Sequence, residues 1–283
     1  MSATTTQARP EPRPEPVPAG ERQSDDGRIG ARANLRHISA LIRRNALQIK
    51  QNPESMADAL LMPIVMTLLF VYVFGGAIAG EAGGYPNWIV PGLMAMMGLS
   101  LAMSVGTGVH EDFSKGVMDR FRSMPIARSS VLIAKVIVEL GRLLVTMAVL
   151  LVVGLAVGLE LNGRWVELLA AVGLAALFGA SLTWIFILLG LTMRSAQAIQ
   201  GMAFMVMMPL QFGSSIFVPT ETMPGWLQAF ANVNPLSQLA EASRNLINGA
   251  GDVAGPAASV VLWSVAITLV TAPLAISKFR KKV

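Results

Sequence analysis

Cysteine is absent from this chain. That removes disulfides, thiolate metal sites and a cysteine nucleophile. Charge is scarce as well. Only 14% of the residues are Asp, Glu, Lys or Arg, against about 25% in ordinary soluble domains. The two histidines, His37 and His110, stand at opposite ends of a pair of apolar spans, and each reads as an interface residue rather than a metal ligand. No G-x-x-x-x-G-K-[ST] phosphate loop occurs, so the chain is not expected to bind ATP by itself in the usual way. Neither H-E-x-x-H nor G-x-S-x-G is present. The apolar spans also lack the scattered Asp, Glu and His that ion-coupled pumps use as relays. No cofactor, metal or catalytic residue is therefore assigned to this chain. The net charge of +5 does not point to nucleic acid. The basic residues flank apolar spans instead of forming a basic face interleaved with aromatics.

Apolar residues make up 53% of the chain. They fall into six stretches near the ~20 residues that a bilayer core requires. These run over about 58–79, 88–109, 131–157, 165–191, 198–218 and 256–276. Lys and Arg orient them, because cytoplasmic connections carry the basic excess. Arg32, Arg36, Arg43, Arg44 and Lys50 precede the first span, and Lys115, Arg120, Arg122 and Arg128 follow the second. Arg194 follows the fourth, and Lys278, Arg280, Lys281 and Lys282 follow the last. The other connections are poor in basic residues. The bias alternates with each crossing and places both termini in the cytoplasm of a multi-pass plasma or inner membrane protein. Tyr85, Trp88, Trp165 and Trp226 fall at the outer span ends, where aromatic residues favour the interface, and anchoring is the expected role.

Residues 1–33 are rich in Pro, Glu, Arg, Ser and Gly. Such composition cannot bury enough apolar surface to order itself, and it reads as a disordered cytoplasmic tail with no signal-peptide core. From 34 to 51, Leu35, Ile38, Leu41, Ile42 and Ile49 recur at helical spacing between Arg36, Arg43, Arg44 and Lys50. That pattern predicts an amphipathic helix at the membrane surface, ended by Asn52-Pro53.

Four groups of residues stand out as candidates for function. The connection from His110 to Arg128 is longer than a tether needs. Its Phe113, Val117, Met118 and Phe121 fit one face of a short helix. Glu111, Asp112, Lys115, Arg120 and Arg122 supply charges of both signs around it. The ridge suits a groove on a partner, or equally the membrane surface. Lys135, Glu139 and Arg142 begin the third span at i,i+4 and i,i+3 spacing. They are expected to neutralise one another as a structural charge network in the cytoplasmic third. The segment after the fifth span contains Pro224, Trp226, Asn234-Pro235, Glu241 and Arg244. Two short external helices broken at Asn234-Pro235 are expected there, dipping into the outer leaflet and returning, with Glu241 and Arg244 paired at i,i+3. Finally, spans two and five are rich in methionine: Met94, Met96, Met97 and Met103, then Met202, Met205, Met207 and Met208. Thioethers fill gaps in helix packing and also suit promiscuous apolar surfaces.

Taken together, these residues resemble the ABC-2 type permeases, and most closely their daunorubicin-resistance type membrane subunits. Phe74-Gly75-Gly76, Glu111 to Arg128 with Met124-Pro125, and Phe217-Val218-Pro219 through Met223-Pro224-Gly225-Trp226-Leu227, Asn234-Pro235-Leu236, Glu241 and Arg244 carry the resemblance. It covers nearly all of the chain after residue 34. It implies an all-α integral membrane fold over 34–283, with six transmembrane helices, an N-terminal interfacial amphipathic helix, a cytoplasmic coupling helix at 111–122 and external re-entrant helices at 220–248. It further implies two ATPase subunits that bind ATP and Mg, and a second permease copy or paralogue. The expected function is the permease of an ATP-driven exporter of a drug-like metabolite or lipid. A permease for a lipid-linked glycan, a secondary transporter and a membrane scaffold are the alternatives.

Overall fold

Long apolar segments leave the backbone no water to bond to, and a helix satisfies its own amides within the segment. The computed structural model describes residues 53–76, 84–116 and 128–282, and all regular structure among them is helical. The tail 1–33, the amphipathic stretch 34–51 and the candidates Val117, Met118, Arg120, Phe121 and Arg122 lie outside the described residues.

Helix α1 spans Pro53–Leu68 and runs into a π-turn at Leu69–Phe74. There follow α2 (Tyr85–Ser114), α3 (Arg128–Ala156), α4 (Trp165–Thr192) and α5 (Ala196–Phe212). A pair of short helices, α6 (Gly225–Val233) and α7 (Pro235–Asn248), precedes the long α8 (Ala254–Lys282). Among the described residues, four helices are long and apolar enough to cross a membrane: α2, α3 over Val131–Ala156, α4 and α8. The first expected span appears as a shorter apolar helix, Leu60–Phe74.

The expected fifth span, 198–218, needs correction. Its helix α5 ends at Phe212 after 17 residues. At 1.5 Å per residue that is about 26 Å, short of the ~30 Å hydrocarbon core. Pro209 lies in its last turn, and Gly213 caps it where a Cβ would stand 2.7 Å from the Pro209 carbonyl oxygen. From Gly213 to Pro219 the chain runs without helix.

Helix α2 is the centre of the bundle. In its most apolar window 76% of the residues are buried, against 17% in α8. It packs on α4 through facing glycines. A Cβ on Gly98 would stand 3.2 Å from the Gly179 Cα, and one on Gly106 would stand 2.7 Å from the Phe186 carbonyl oxygen. A Cβ on Gly190 would meet the Gly106 carbonyl oxygen directly. Small residues let membrane helices approach closely, where packing rather than water exclusion drives association. The main core fills around Ile89, Leu93, Met94, Met147, Leu150 and Phe178. A second cluster, with Val105, Val109, Leu132, Ile187, Leu191 and Phe279, lies further along the bundle.

The seam gives a sharp test. Gly106→Val and Gly190→Val place a side chain against backbone and should each destabilise the detergent-solubilised protein by about 1–3 kcal/mol or more. Gly173, on α4 but facing open space, should accept alanine with a gain or loss below about 1 kcal/mol. Thermal unfolding of the three variants in one detergent reads the difference.

Candidate functional site

The helix pair α6–α7 breaks at Asn234-Pro235, as the residues predict. Proline lacks an N–H and restricts the residue before it, so one helix stops and the next starts there. Asn234 is buried and caps α7 by accepting the Leu236 N–H at 3.0 Å. Its Nδ2 donates to the Leu210 carbonyl at 2.7 Å and to that of Gly213 at 3.2 Å. The turn of the pair is thereby fastened to the end of α5.

Arg244, on α7, is buried at 5% exposure. Its Nε donates to the Trp88 carbonyl at 2.9 Å, and its guanidinium lies 3.7 Å from the Trp88 ring centroid. Its Nη2 donates to the carbonyls of Ser215 and Ile216, and Nη1 reaches the Ser215 hydroxyl at 3.4 Å. A guanidinium stays charged and presents a fixed fork of donors, so carbonyls freed by the unwound stretch suit it. The expected Glu241–Arg244 pairing acts through charge alone: Glu241 is exposed, and the hydrogen bonds of Arg244 go inward to acceptors on two other segments. Trp88 and Tyr85 are corrected with it. Tyr85 is buried beside Gly75 and Trp88 is half-buried beneath Arg244, so both face the protein. Trp165 and Trp226 are exposed and remain free to anchor at an interface. Pro224 precedes α6 as its N-cap.

A further link had no signal in helical spacing. Pro91 cannot bond to the carbonyl four residues before it. That carbonyl, of Asn87, accepts from Asn248 Nδ2 at 3.2 Å. The Asn87 side chain in turn accepts the Glu160 N–H at 2.9 Å.

At the opposite end, Glu111, Asp112 and Phe113 belong to the last turn of α2 and not to a separate helix. Gly116, at φ 68°, follows and turns the chain. Lys115 pairs with Glu111 at 2.8 Å, and that hydrogen bond, with the Glu111 charge, holds the ammonium pKa above its ordinary value. Both side chains are exposed, so the pair adds little stability. Asp112 and Phe113 face inward. Asp112 pairs with Lys135 of α3. Phe113 meets Phe279 of α8 edge-on at 5.7 Å, with the Lys282 ammonium 5.3 Å from its ring centroid. The expected Lys135–Glu139–Arg142 network gains a fourth member, Asp112, while the Lys135 charge still acts on Glu139. Lys135 reaches across to Asp112, while Glu139 and Arg142 keep an ion pair at 3.8 Å. The cross-helix pair still ties the third span to the segment before it.

Between these ends a cavity of about 400 Å³ opens among α1, α2, α3 and α5. Seven methionines line it: Met62, Met66, Met96, Met97, Met103, Met207 and Met208. Gln200, Gln211, Thr146 and Arg142, with Ser100, Ser104 and Thr107 of α2, supply its polar atoms. Three of the eight methionines noted in the sequence do not take part in this way. Met96, Met97, Met103, Met207 and Met208 reach the cavity, whereas Met94 is buried in the core and Met202 and Met205 face outward. Among the described residues no group of three or more His, Asp or Glu is placed to hold a metal ion.

A bundle of long apolar helices with a broken helix pair at one end has the build of a multi-pass membrane protein. Residues 36–248 match the ABC-2 type transporter family, and the chain belongs to it. It is 33% identical over 264 residues to the daunorubicin resistance ABC transporter permease protein DrrB1 of Streptomyces coeruleorubidus, covering 93% of this chain and 91% of that one. It is 25% identical over 222 residues to the probable doxorubicin resistance ABC transporter permease protein DrrC of Mycobacterium tuberculosis, with 77% and 79% covered. A putative transport permease ycf38 of Cyanophora paradoxa is 23% identical over 216 residues, with 75% and 74% covered.

Replacing Arg244 by methionine removes a charge but strands its carbonyl acceptors. The variant should lose about 2–4 kcal/mol, measured by thermal or denaturant unfolding in detergent. Glu241→Gln should stay within about 0.5 kcal/mol, because an exposed side chain outside the clamp contributes little.

Proposed function

We propose that this chain is the membrane-spanning permease subunit of an ATP-driven exporter that moves an amphiphilic, largely apolar compound, a drug-like metabolite or a lipid, out of the cell. The observation that carries the cargo reading is the methionine-lined cavity among α1, α2, α3 and α5. Thioethers are polarizable and flexible, and they accommodate apolar bodies of differing shape. Gln200, Gln211 and Arg142 give such a molecule a polar end to meet. Family membership and the printed names of the resistance permeases support the same reading.

In this reading the chain crosses the membrane six times with both ends in the cytoplasm. The short α1 and α5 complete the count, α6–α7 dips into the outer leaflet, and 34–51 lies on the inner surface. Residues 111–122 dock on a separate ATPase subunit that binds ATP and Mg. Two ATPases and a second permease, identical or related, complete the transporter. Closure of the ATPases pushes on the end of α2. The Asp112–Lys135 pair and the Phe113–Phe279 contact pass that push to α3 and α8.

Two experiments test this. The tagged chain, recovered from native membranes in mild detergent, should bring down a stoichiometric phosphate-loop ATPase. Glu111→Ala or Phe121→Asp should lower that recovery severalfold while insertion is unchanged; full recovery with both variants rejects 111–122 as the docking segment. Separately, Met97→Trp and Met103→Trp narrow the cavity. Each should reduce cargo efflux about tenfold, the scale of one or two lost apolar contacts, with ATPase recovery intact. Undiminished efflux with both variants moves the cargo path elsewhere.

A further inference from the structure

We propose that the C-terminal end of α8 is a binding site for an anionic phospholipid, with the phosphate on Lys278 and Lys281 and the acyl chains in two grooves that meet at Ser277. The first groove, about 650 Å³, runs from Thr268 and Leu269 past Pro273 and Ile276 to Ser277 and Lys281, beside Arg280. The second, about 400 Å³, is walled by Leu188, Leu189 and Thr192 of α4 and by Leu274 of α8. It ends at Ser277, Lys278 and Lys281. Two apolar channels sharing one basic mouth match a molecule with two hydrocarbon chains and one phosphate.

Dimensions and charge agree. From Lys281 back to Thr268 is about 20 Å of helix at 1.5 Å per residue, comparable to one leaflet of a ~30 Å hydrocarbon core with its headgroup layer. Lys278 and Lys281 are exposed at the groove mouths. Basic residues beyond a span are sufficient to orient it, but orientation needs no groove, and here the charges stand at the ends of two.

Charge also argues against the chain's own N-terminal region as occupant, and against 117–127, where Arg120 and Arg122 outweigh Asp119. The apolar-rich stretch 32–50 carries Arg32, Arg36, Arg43, Arg44 and Lys50 and no acidic residue, so it would meet like charge. The acidic residues of the tail, Glu11, Glu15, Glu21, Asp25 and Asp26, have no apolar run beside them to fill the grooves. An anionic lipid supplies both the negative charge and the apolar chains.

The test uses the purified full-length chain in a neutral detergent and counts bound lipid by native mass spectrometry. The probes are phosphatidylglycerol and phosphatidylcholine with identical acyl chains, and inorganic phosphate. Phosphatidylglycerol should be preferred by about tenfold or more, the scale of two lysines acting on one extra charge. Lys278→Gln with Lys281→Gln should abolish the preference, and Lys278→Arg with Lys281→Arg should keep it. Ser277→Trp, which blocks the junction without changing charge, should weaken retention of both lipids. Equal retention of the two lipids by the wild type overturns the proposal, as does an unchanged preference in the double glutamine variant. Displacement of phosphatidylglycerol by inorganic phosphate at equal concentration also overturns it, by marking a simple anion site. Neither ATP nor an ATPase enters the measurement, so its failure leaves the exporter reading untouched, and failure of that reading leaves this one standing.

Discussion

A single buried guanidinium organises the α6–α7 end of this molecule. Where α5 stops at Phe212, the chain unwinds, and unwound backbone in an apolar setting must find partners from elsewhere in the protein. Arg244 provides them. It takes the carbonyls of Ser215 and Ile216 and that of Trp88 on α2, and rests on the Trp88 ring. Because the acceptors belong to two separate segments, one side chain sets the position of α7 relative to both. Asn234 adds a second fastening at the turn of the helix pair. The end of α5 is thereby held, and α5 is one wall of the methionine cavity. The cavity's outline and the guanidinium's bonds are linked by one short piece of chain.

The rest of the bundle is held differently. Glycines bring α2 and α4 to backbone contact, so the pair can move only as a unit. Around that unit, α8 packs along α4 and α3 packs against α2, and the Asp112–Lys135 ion pair and the Phe113–Phe279 contact fasten both to the end of α2. Helices packed this closely move as a body, and displacement is not absorbed by soft contacts. The cavity lies where α1, α3 and α5 meet this pair through α2, and flexible methionines line it.

Much of this was legible in the amino-acid order, and the limits have a physical pattern. Hydropathy placed α2, α3, α4 and α8, because a spanning helix must be apolar for its whole length. The Asn234-Pro235 break was legible because proline acts on its own neighbours. What helical spacing could not reveal were partners on other helices. Lys135 has Glu139 one turn away, yet it reaches Asp112. Arg244 has Glu241 three residues back, yet it turns to carbonyls brought near by the unwound stretch. Phe113 looks like part of an outward ridge with Val117 and Phe121, but Phe279 covers it. An i,i+3 or i,i+4 rule describes one helix in isolation, and packing overrules it wherever a second helix offers a less exposed partner. The early end of α5 was hidden for a related reason: Phe217 and Val218 are as apolar as a spanning helix requires, and only the contacts of Gly213 reveal that the helix has already stopped.

The order of the clamp along the chain has a consequence for biogenesis. Trp88 and Arg244 are 156 residues apart. At about 5–20 residues per second of synthesis, the carbonyl on α2 waits on the order of ten to thirty seconds for its donor to be made. By the end of that interval α2 to α5 are made, and the stretch after α5 still has no guanidinium to bond to. A ribosome that stalls before residue 244 therefore leaves behind a chain with most of its apolar helices but without the side chain that fastens the end of α5.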